Sequence, residues 1–406
     1  IEGALRKLYI VISYLVKKQK EKKKERGGSQ IDRERASKFT APLLEVYLGI
    51  EEQLLQNIVK RIKRTNSLLD EIEDSDGDPA LIVAWQVEAL TQLGDLTQEQ
   101  IRTIAKESGK TADEIKNMLE QAGYSLIDEV EDILQEGVDR GILRPPKHSA
   151  RRSETLNRIL RTFEEQAKDT FNLVNSTLIE QAGRQYTSIV NRTVGVVLSG
   201  ATTPREAIRA GVRELAEKGI PALVDKAGRQ WSTEAYLSMV TRSMSNEIAN
   251  RMQDARFDEM GVDLVEVSSH AGARPLCAPY QGRVYSRSGK HPHYPALSDT
   301  SIGHPAGLFG INCGHVKYPY FEGSRRTYKP YPEEENDRIY EESQKQRYLE
   351  RRIRHAKREL KLMQTLDDKE GIEEAKAKVR QRQAAMREFI ESTGRTRRYD
   401  REQIVT

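Results

Sequence analysis

The chain of 406 residues is 32% charged and only 6% aromatic, and its 66 Lys and Arg nearly balance 62 Asp and Glu, leaving a net charge of +4. Two cysteines exclude a disulfide framework, and no stretch reaches the roughly 18 apolar residues of a membrane span. So charged a composition argues against a thick α/β core and for long amphipathic helices in an elongated molecule.

Residues 1 to 26 carry Leu5, Leu8, Tyr9, Ile12 and Leu15 or Val16 at three- and four-residue steps, which predicts a helix. The apolar run Tyr9 to Val16 lacks the small-residue cleavage site of a signal peptide, so a soluble protein made in the cytoplasm is expected. Ile1 is not an initiating methionine, which fits a portion of a longer or processed product. Lys17 to Arg26 holds seven bases, among them Lys22, Lys23 and Lys24, and the C-terminal tail carries Arg395, Arg397 and Arg398. Such runs attract phosphate backbones or acidic protein surfaces without reading sequence. The plain alternative is a solvated helix face.

A second helical pattern runs from Pro42 to Leu69, and a third contains Trp85, Val87 and Leu90. Thr97-Gln98-Glu99-Gln100 and Thr111-Ala112-Asp113-Glu114 read as capping boxes on either side of Ser108-Gly109, and predict two short helices in a hairpin. Pro145-Pro146 makes a rigid connector. From Ser153 to Leu198 the apolar spacing is regular and predicts a helix on the order of 65 Å long. Thr203-Pro204-Arg205-Glu206 opens another helix that closes near Gly219, and Ser232 or Thr233 opens a long one that ends at Gly261.

Beyond Gly261 the period changes. Asp263 to Ser268, Arg283 to Ser286 and Val316 to Tyr320 are short β-prone runs, which predict a small antiparallel sheet with long loops. After Pro332 two highly charged helices are expected, 333 to 366 and 369 to 391, turning at Asp367-Asp368, with a narrow apolar seam of Ile339, Leu349, Ile353, Leu360 and Met363. The fold class is therefore mainly α, with long helices, one small α+β module near residues 262–323 and a charged C-terminal helical hairpin. Four consecutive regions follow: 1–148, 149–261, 262–323 and 324–406.

Function concentrates in Val265 to Glu322. Both cysteines, Cys277 and Cys313, lie there with five of the seven histidines, His270, His291, His293, His304 and His315. Cys277, His304, Cys313 and His315 could supply four N/S ligands to a structural zinc, the one cofactor these residues suggest. The alternative is that the histidines hydrogen-bond loop backbone. A thiol nucleophile served by a nearby histidine and Gln281 is a third reading. Two-metal nuclease chemistry is disfavoured, because Asp299 is the only acid between His270 and Phe321. Gly307, Gly310 and Gly314 match no nucleotide fingerprint and read as turn positions of positive φ. Arg274, Arg283, Arg287, Lys290 and Lys317 face that single acid, which suggests contact with DNA phosphate or an acidic protein, or else a solvated rim.

The elements GVDLVEVSSHAGARP, PYQGRVYS and GLFGINCGHVKYPYFEG resemble the phage minor capsid protein 2 family, which is related to head-morphogenesis proteins of the Mu F type. The likeness extends upstream through SGATTPREAIRAGVRELAEKGIPALVDKAGRQWSTEAY and so covers roughly Ser199 to Gly323. In that family the position of Cys277 is more often His. The resemblance implies a non-enzymatic virion protein of a tailed bacteriophage of Gram-positive hosts. It would be assembled in the host cytoplasm, and would sit in multiple copies inside the head near the portal. Its implied partners are the portal protein, the major capsid protein and packaged double-stranded DNA, and its implied role is in head morphogenesis and DNA packaging or delivery. Two other readings remain: a thiol- or zinc-dependent hydrolase co-delivered with the genome, and a DNA-condensing internal protein.

Overall fold

The long helices follow from the apolar spacing and account for most of the chain. A computed structural model describes residues 28 to 405 except Asp76 and Asn312, so the helix expected over residues 1 to 26, with Lys22, Lys23 and Lys24, lies outside the described residues. The helices are α1 (Gly28–Lys63), α2 (Asn66–Asp74), α3 (Pro79–Thr91), α4 (Leu93–Asp139), α5 (Glu154–Leu198), α6 (Pro204–Lys218), α7 (Thr233–Met260), α8 (Glu333–Leu366) and α9 (Lys369–Thr393). Five short strands accompany them: β1 (Pro221–Val224), β2 (Gln230–Ser232), β3 (Leu264–Val267), β4 (Val284–Ser286) and β5 (Lys317–Pro319). The protein is mainly α with a small α+β module, as expected.

The expected caps at Thr203 and Gly261 are present. Thr203 and Glu206 form a reciprocal capping box with Pro204 at the first helical position, and Gly261 follows α7 at a φ of 79°. Along α5 the buried positions Leu156, Leu160, Phe163, Ala167, Phe171 and Val174 keep the expected spacing. The hairpin expected around Ser108-Gly109 is not formed, because Leu93–Asp139 is one helix of 47 residues. The supposed caps turn backwards there: Thr97 Oγ1 donates to Leu93 O at 2.9 Å and Thr111 Oγ1 to Glu107 O at 2.9 Å. A glycine inside a helix costs only about 1 kcal/mol relative to alanine. Burial of Leu96, Ile104, Ile115, Met118 and Leu119 along one helix face outweighs that. The β1–β2 ribbon was not expected. Its turn is set by Asp225, whose Oδ1 accepts from the backbone N–H groups of Ala227 and Arg229, and by Gly228 at a φ of 78°.

Contacts group the described residues into two compact units, each built from three separated segments. One comprises 41–117, 164–241 and 342–406. In its core Tyr47 stacks on Phe171 with centroids 5.4 Å apart, the Tyr186 hydroxyl donates to Ala89 O at 2.7 Å, and Trp85 Nε1 donates to Thr65 Oγ1 at 3.0 Å. Arg358 is buried between Glu51 and Glu52, and Glu51 Oε1 also accepts the Ile220 N–H at 3.0 Å. α8 and α9 meet at a turn where Asp367 has a φ of 68° and Asp368 caps α9 through Gly371 N. The apolar seam is sparse, as expected, and much of the packing around it is ionic: Arg209 binds Asp368, and Lys378 and Arg213 both reach the buried Glu359.

His355 lies in α8 of this unit, and burial first, with the Arg358 and Arg354 charges assisting, pulls it down to about 4. Its folded value is below its unfolded value, so its contribution to stability is present above about 6.5 and is lost as pH falls towards about 4. Urea titrations between those limits should show stability falling with pH, by at most about 3 kcal/mol from this group. His355→Gln should flatten that slope, and an unchanged slope would assign the pH dependence elsewhere.

Candidate functional site

The second unit comprises residues 28–40 of the described chain with 118–163 and 242–341, and it contains the Cys/His segment. Its sheet has the order β4-β3-β5, all antiparallel, with Val265 opposite Tyr285 on one side and Pro319 on the other. All four β3 residues are buried. Val265 and Val267 share a core with Phe257 and Met260 of α7 and with Leu126, Val130 and Leu134 of α4. Gln253 Nε2 donates to Lys317 O at 2.9 Å, and Lys317 Nζ donates to Asp254 at 2.6 Å. Burial holds the Lys317 amine below its usual range despite that carboxylate. Lys317 is therefore an internal tie between β5 and α7 and not part of a basic rim.

The loops on this sheet are organised by side chains that grip backbone. Asn336 brackets Ala273, accepting its N–H at 2.7 Å and donating to its carbonyl at 2.9 Å. Glu266 in the central strand accepts the N–H groups of Thr327 and Tyr328 at 2.9 and 2.8 Å. Arg274 donates to Ile311 O at 2.6 Å and Gly307 O at 3.2 Å. Gly307 and Gly310 are required for room and not for positive φ: a Cβ would lie 2.0 Å from Ser301 O at the first and 2.5 Å from Pro305 O at the second.

Within this frame Cys277, Cys313 and His315 converge, with one ligand atom from each lying within 4.8 Å of the others and all three side chains buried. The two sulfurs are 3.9 Å apart, and His315 Nδ1 is 3.4 Å from Cys313 Sγ. His315 Nε2 lies 3.3 Å from Gln281 Oε1, which also accepts the His270 N–H at 2.8 Å. With Nε2–H donating to that oxygen, Nδ1 is left with its lone pair facing the sulfurs. The His270 ring stacks on His315 with centroids 4.3 Å apart. Contact with Cys277 first, and the His315 ring next, pull Cys313 well below the usual thiol range against the effect of burial. Contact with Cys313, with burial behind it, pushes Cys277 up.

Three of the four expected metal ligands are thus adjacent. His304 is not among them, being exposed with its Nδ1 accepting the Ala306 N–H at 3.1 Å. His291 belongs to a separate aromatic group, 5.0 Å from the Tyr294 ring centroid. Of the expected basic contacts, Arg287 is spent internally, donating to Val262 O at the end of α7 and to Asp258, both at 2.8 Å. Arg274 is likewise committed to the loops. Arg283 and Lys290 are exposed. The C-terminal arginines fold back within the other unit: Arg397 pairs with the buried Glu402 at 2.6 Å, Arg395 donates to Gln346 at 2.8 Å, and Arg398 is half-buried. In sequence that tail reads as a basic run open to phosphate or an acidic partner, because its own partners, Gln346 and Glu402, are distant in sequence or hidden in the tail itself.

Comparison with known proteins gives the class. The chain matches the phage minor capsid protein 2 family over residues 31–391, and it belongs to that family of bacteriophage structural proteins. A structural protein of Lactococcus phage LL-H is 29% identical over 373 residues, covering 88% of this chain and 97% of that protein. A structural protein of Lactococcus phage mv4 is 37% identical over 116 residues, covering 28% of this chain and 94% of that protein. No solved structure gave a significant match. Among the described residues no helix is long and apolar enough to cross a membrane.

Proposed function

We propose that the protein is a component of the head of a tailed bacteriophage, positioned inside the capsid near the portal and acting in assembly and in DNA packaging or delivery. The observation that carries this reading is the family match over most of the chain, together with a near full-length phage relative that is itself a structural protein. Binding is placed ahead of turnover for a physical reason: Cys277 and Cys313 are only 1% and 7% exposed, so a substrate has no direct route to either thiol. Portal and major capsid subunits would be met through helix faces. Packaged DNA would be met through the exposed Arg283 and Lys290 and through the basic residues Lys22, Lys23 and Lys24.

The test is a comparison of purified heads assembled with and without portal protein, using mass spectrometry for content and cryo-electron microscopy for position. Portal-dependent incorporation with density beside the portal is expected. Equal incorporation into portal-free heads would end the portal reading, and absence from heads would end the whole proposal. For DNA, affinity should fall steeply with rising salt as counterions are released, and Arg283→Ala with Lys290→Ala should reduce that slope. Salt-insensitive binding would contradict backbone contact.

A further inference from the structure

We infer that Cys277, Cys313 and His315 bind a zinc ion, which fastens the long loops of the sheet module from inside. This goes beyond the proposed role in the head and stands or falls independently of it.

The first argument is metric. Zinc bound at about 2.3 Å to sulfur and about 2.0 Å to nitrogen in tetrahedral geometry gives sulfur–sulfur edges of about 3.8 Å and sulfur–nitrogen edges of about 3.5 Å. The corresponding separations are 3.9 Å for Cys277 and Cys313 and 3.4 Å for Cys313 and His315. Two of the three edges thus match the tetrahedral values, the third, between Cys277 and His315, is no longer than 4.8 Å, and a water molecule would complete the fourth corner. A disulfide would instead require the sulfurs to close to about 2.05 Å.

The second argument is orientation. Metal-bound histidine usually donates its distal N–H to a fixed acceptor. Gln281 Oε1, 3.3 Å from His315 Nε2, provides that acceptor, and Gln281 is itself 1% exposed and held by the His270 backbone N–H. The Gln281 Nε2 atom is buried without a hydrogen-bond partner, so its amide is placed for what the oxygen does.

The third argument is charge and need. Two thiolates and a neutral imidazole around a divalent ion form a neutral group, the state that tolerates burial. Among the described residues the segment from Ser268 to Val316 contains one strand of three residues and two single-turn 3-10 helices, so its path depends on side-chain cross-links, to which the metal would add one more. The ligands join its two ends, Cys277 near the beginning and Cys313 with His315 at the approach to β5.

The experiment uses the full chain, purified without chelator. Elemental analysis should find one zinc per chain. Cys313→Ser and Cys277→Ser should each lose nearly all of it, while His304→Ala should retain it. Where a serine variant does not fold, wild-type protein exchanged with cobalt(II) is the second readout, and it should show thiolate-to-cobalt charge transfer with the intense visible bands of tetrahedral cobalt. Denatured, chelator-treated wild-type protein should present two free thiols. Absence of both zinc and the cobalt spectrum would overturn the inference, and so would a disulfide in place of the two thiols.

Discussion

Arg358→Ala is expected to destabilise the protein by about 3–5 kcal/mol, the cost typical of removing one partner from a buried ion pair. Arg358 Nη2 meets Glu51 at 2.8 Å, and Glu51 and Glu52 are 2% and 4% exposed. Without the guanidinium, two adjacent carboxylates remain in the interior with no cation between them. Glu51 already has its carboxyl raised by burial, against the opposing pull of Arg358. A carboxyl whose folded value exceeds its unfolded value favours the folded state at low pH and loses that contribution as pH rises. Removing Arg358 raises it further, so the variant should be weakest near neutrality and should approach wild type on acidification. Urea unfolding across that pH range measures both effects. A loss under about 1 kcal/mol would mean that the carboxylates reach water or another cation. Replacing Arg358, Glu51 and Glu52 together with apolar residues of matched volume should cost far less than the single change.

Gly282→Val is the second change expected to be severe, and it acts on the other unit. Gly282 has a φ of 66°, and a Cβ there would stand 2.5 Å from the Lys329 carbonyl carbon and 2.6 Å from Pro330 N. The left-handed backbone costs a β-branched residue about 1–3 kcal/mol, and forced overlap adds about 1–3 kcal/mol more. The obstacle is main chain, so a rotamer change cannot relieve it. The segment that would have to move is the one Glu266 holds through Thr327 and Tyr328. Thermal unfolding should show the loss, and limited proteolysis should show new cleavage around residues 324–330. Intact resistance there would show that the segment adapts without leaving the sheet. Because Gln281 precedes Gly282, the same variant should also weaken retention of the proposed zinc.

Each clearly legible part of the fold rested on a local signal. Thr203-Pro204-Arg205-Glu206 specifies a helix start from four residues, the spacing from Leu156 to Val194 specifies a helix face, and Asp367-Asp368 specifies a turn. Where a local signal had to compete with packing it misled. Thr97 and Thr111 have the residues of caps, but their hydroxyls bond to the preceding turn because an unbroken α4 buries a longer apolar face. The β1–β2 ribbon depended on Asp225 and Gly228 acting together across a turn that the strands, at four and three residues, were too short to announce.

The candidate site divides in the same way. The density of Cys and His in Val265 to Glu322, and the family phrasing around it, are properties of the sequence alone. So is the nearness of Cys313 and His315, which are two positions apart. That Cys277, 36 residues before Cys313, joins them while His304, nine residues before, does not was decided by the tertiary structure. The same is true of the charges. Lys317 and the C-terminal arginines look like free bases in sequence, but each long cationic side chain can be engaged by a carboxylate or an amide oxygen that the fold brings to it. Asp254, Glu402 and Gln346 do so here. Sequence by itself determined most of the helix faces, the family resemblance and the ligand types available. Which ligands meet, and which charges remain for a partner, required the fold, because side-chain convergence across loops depends on long-range packing.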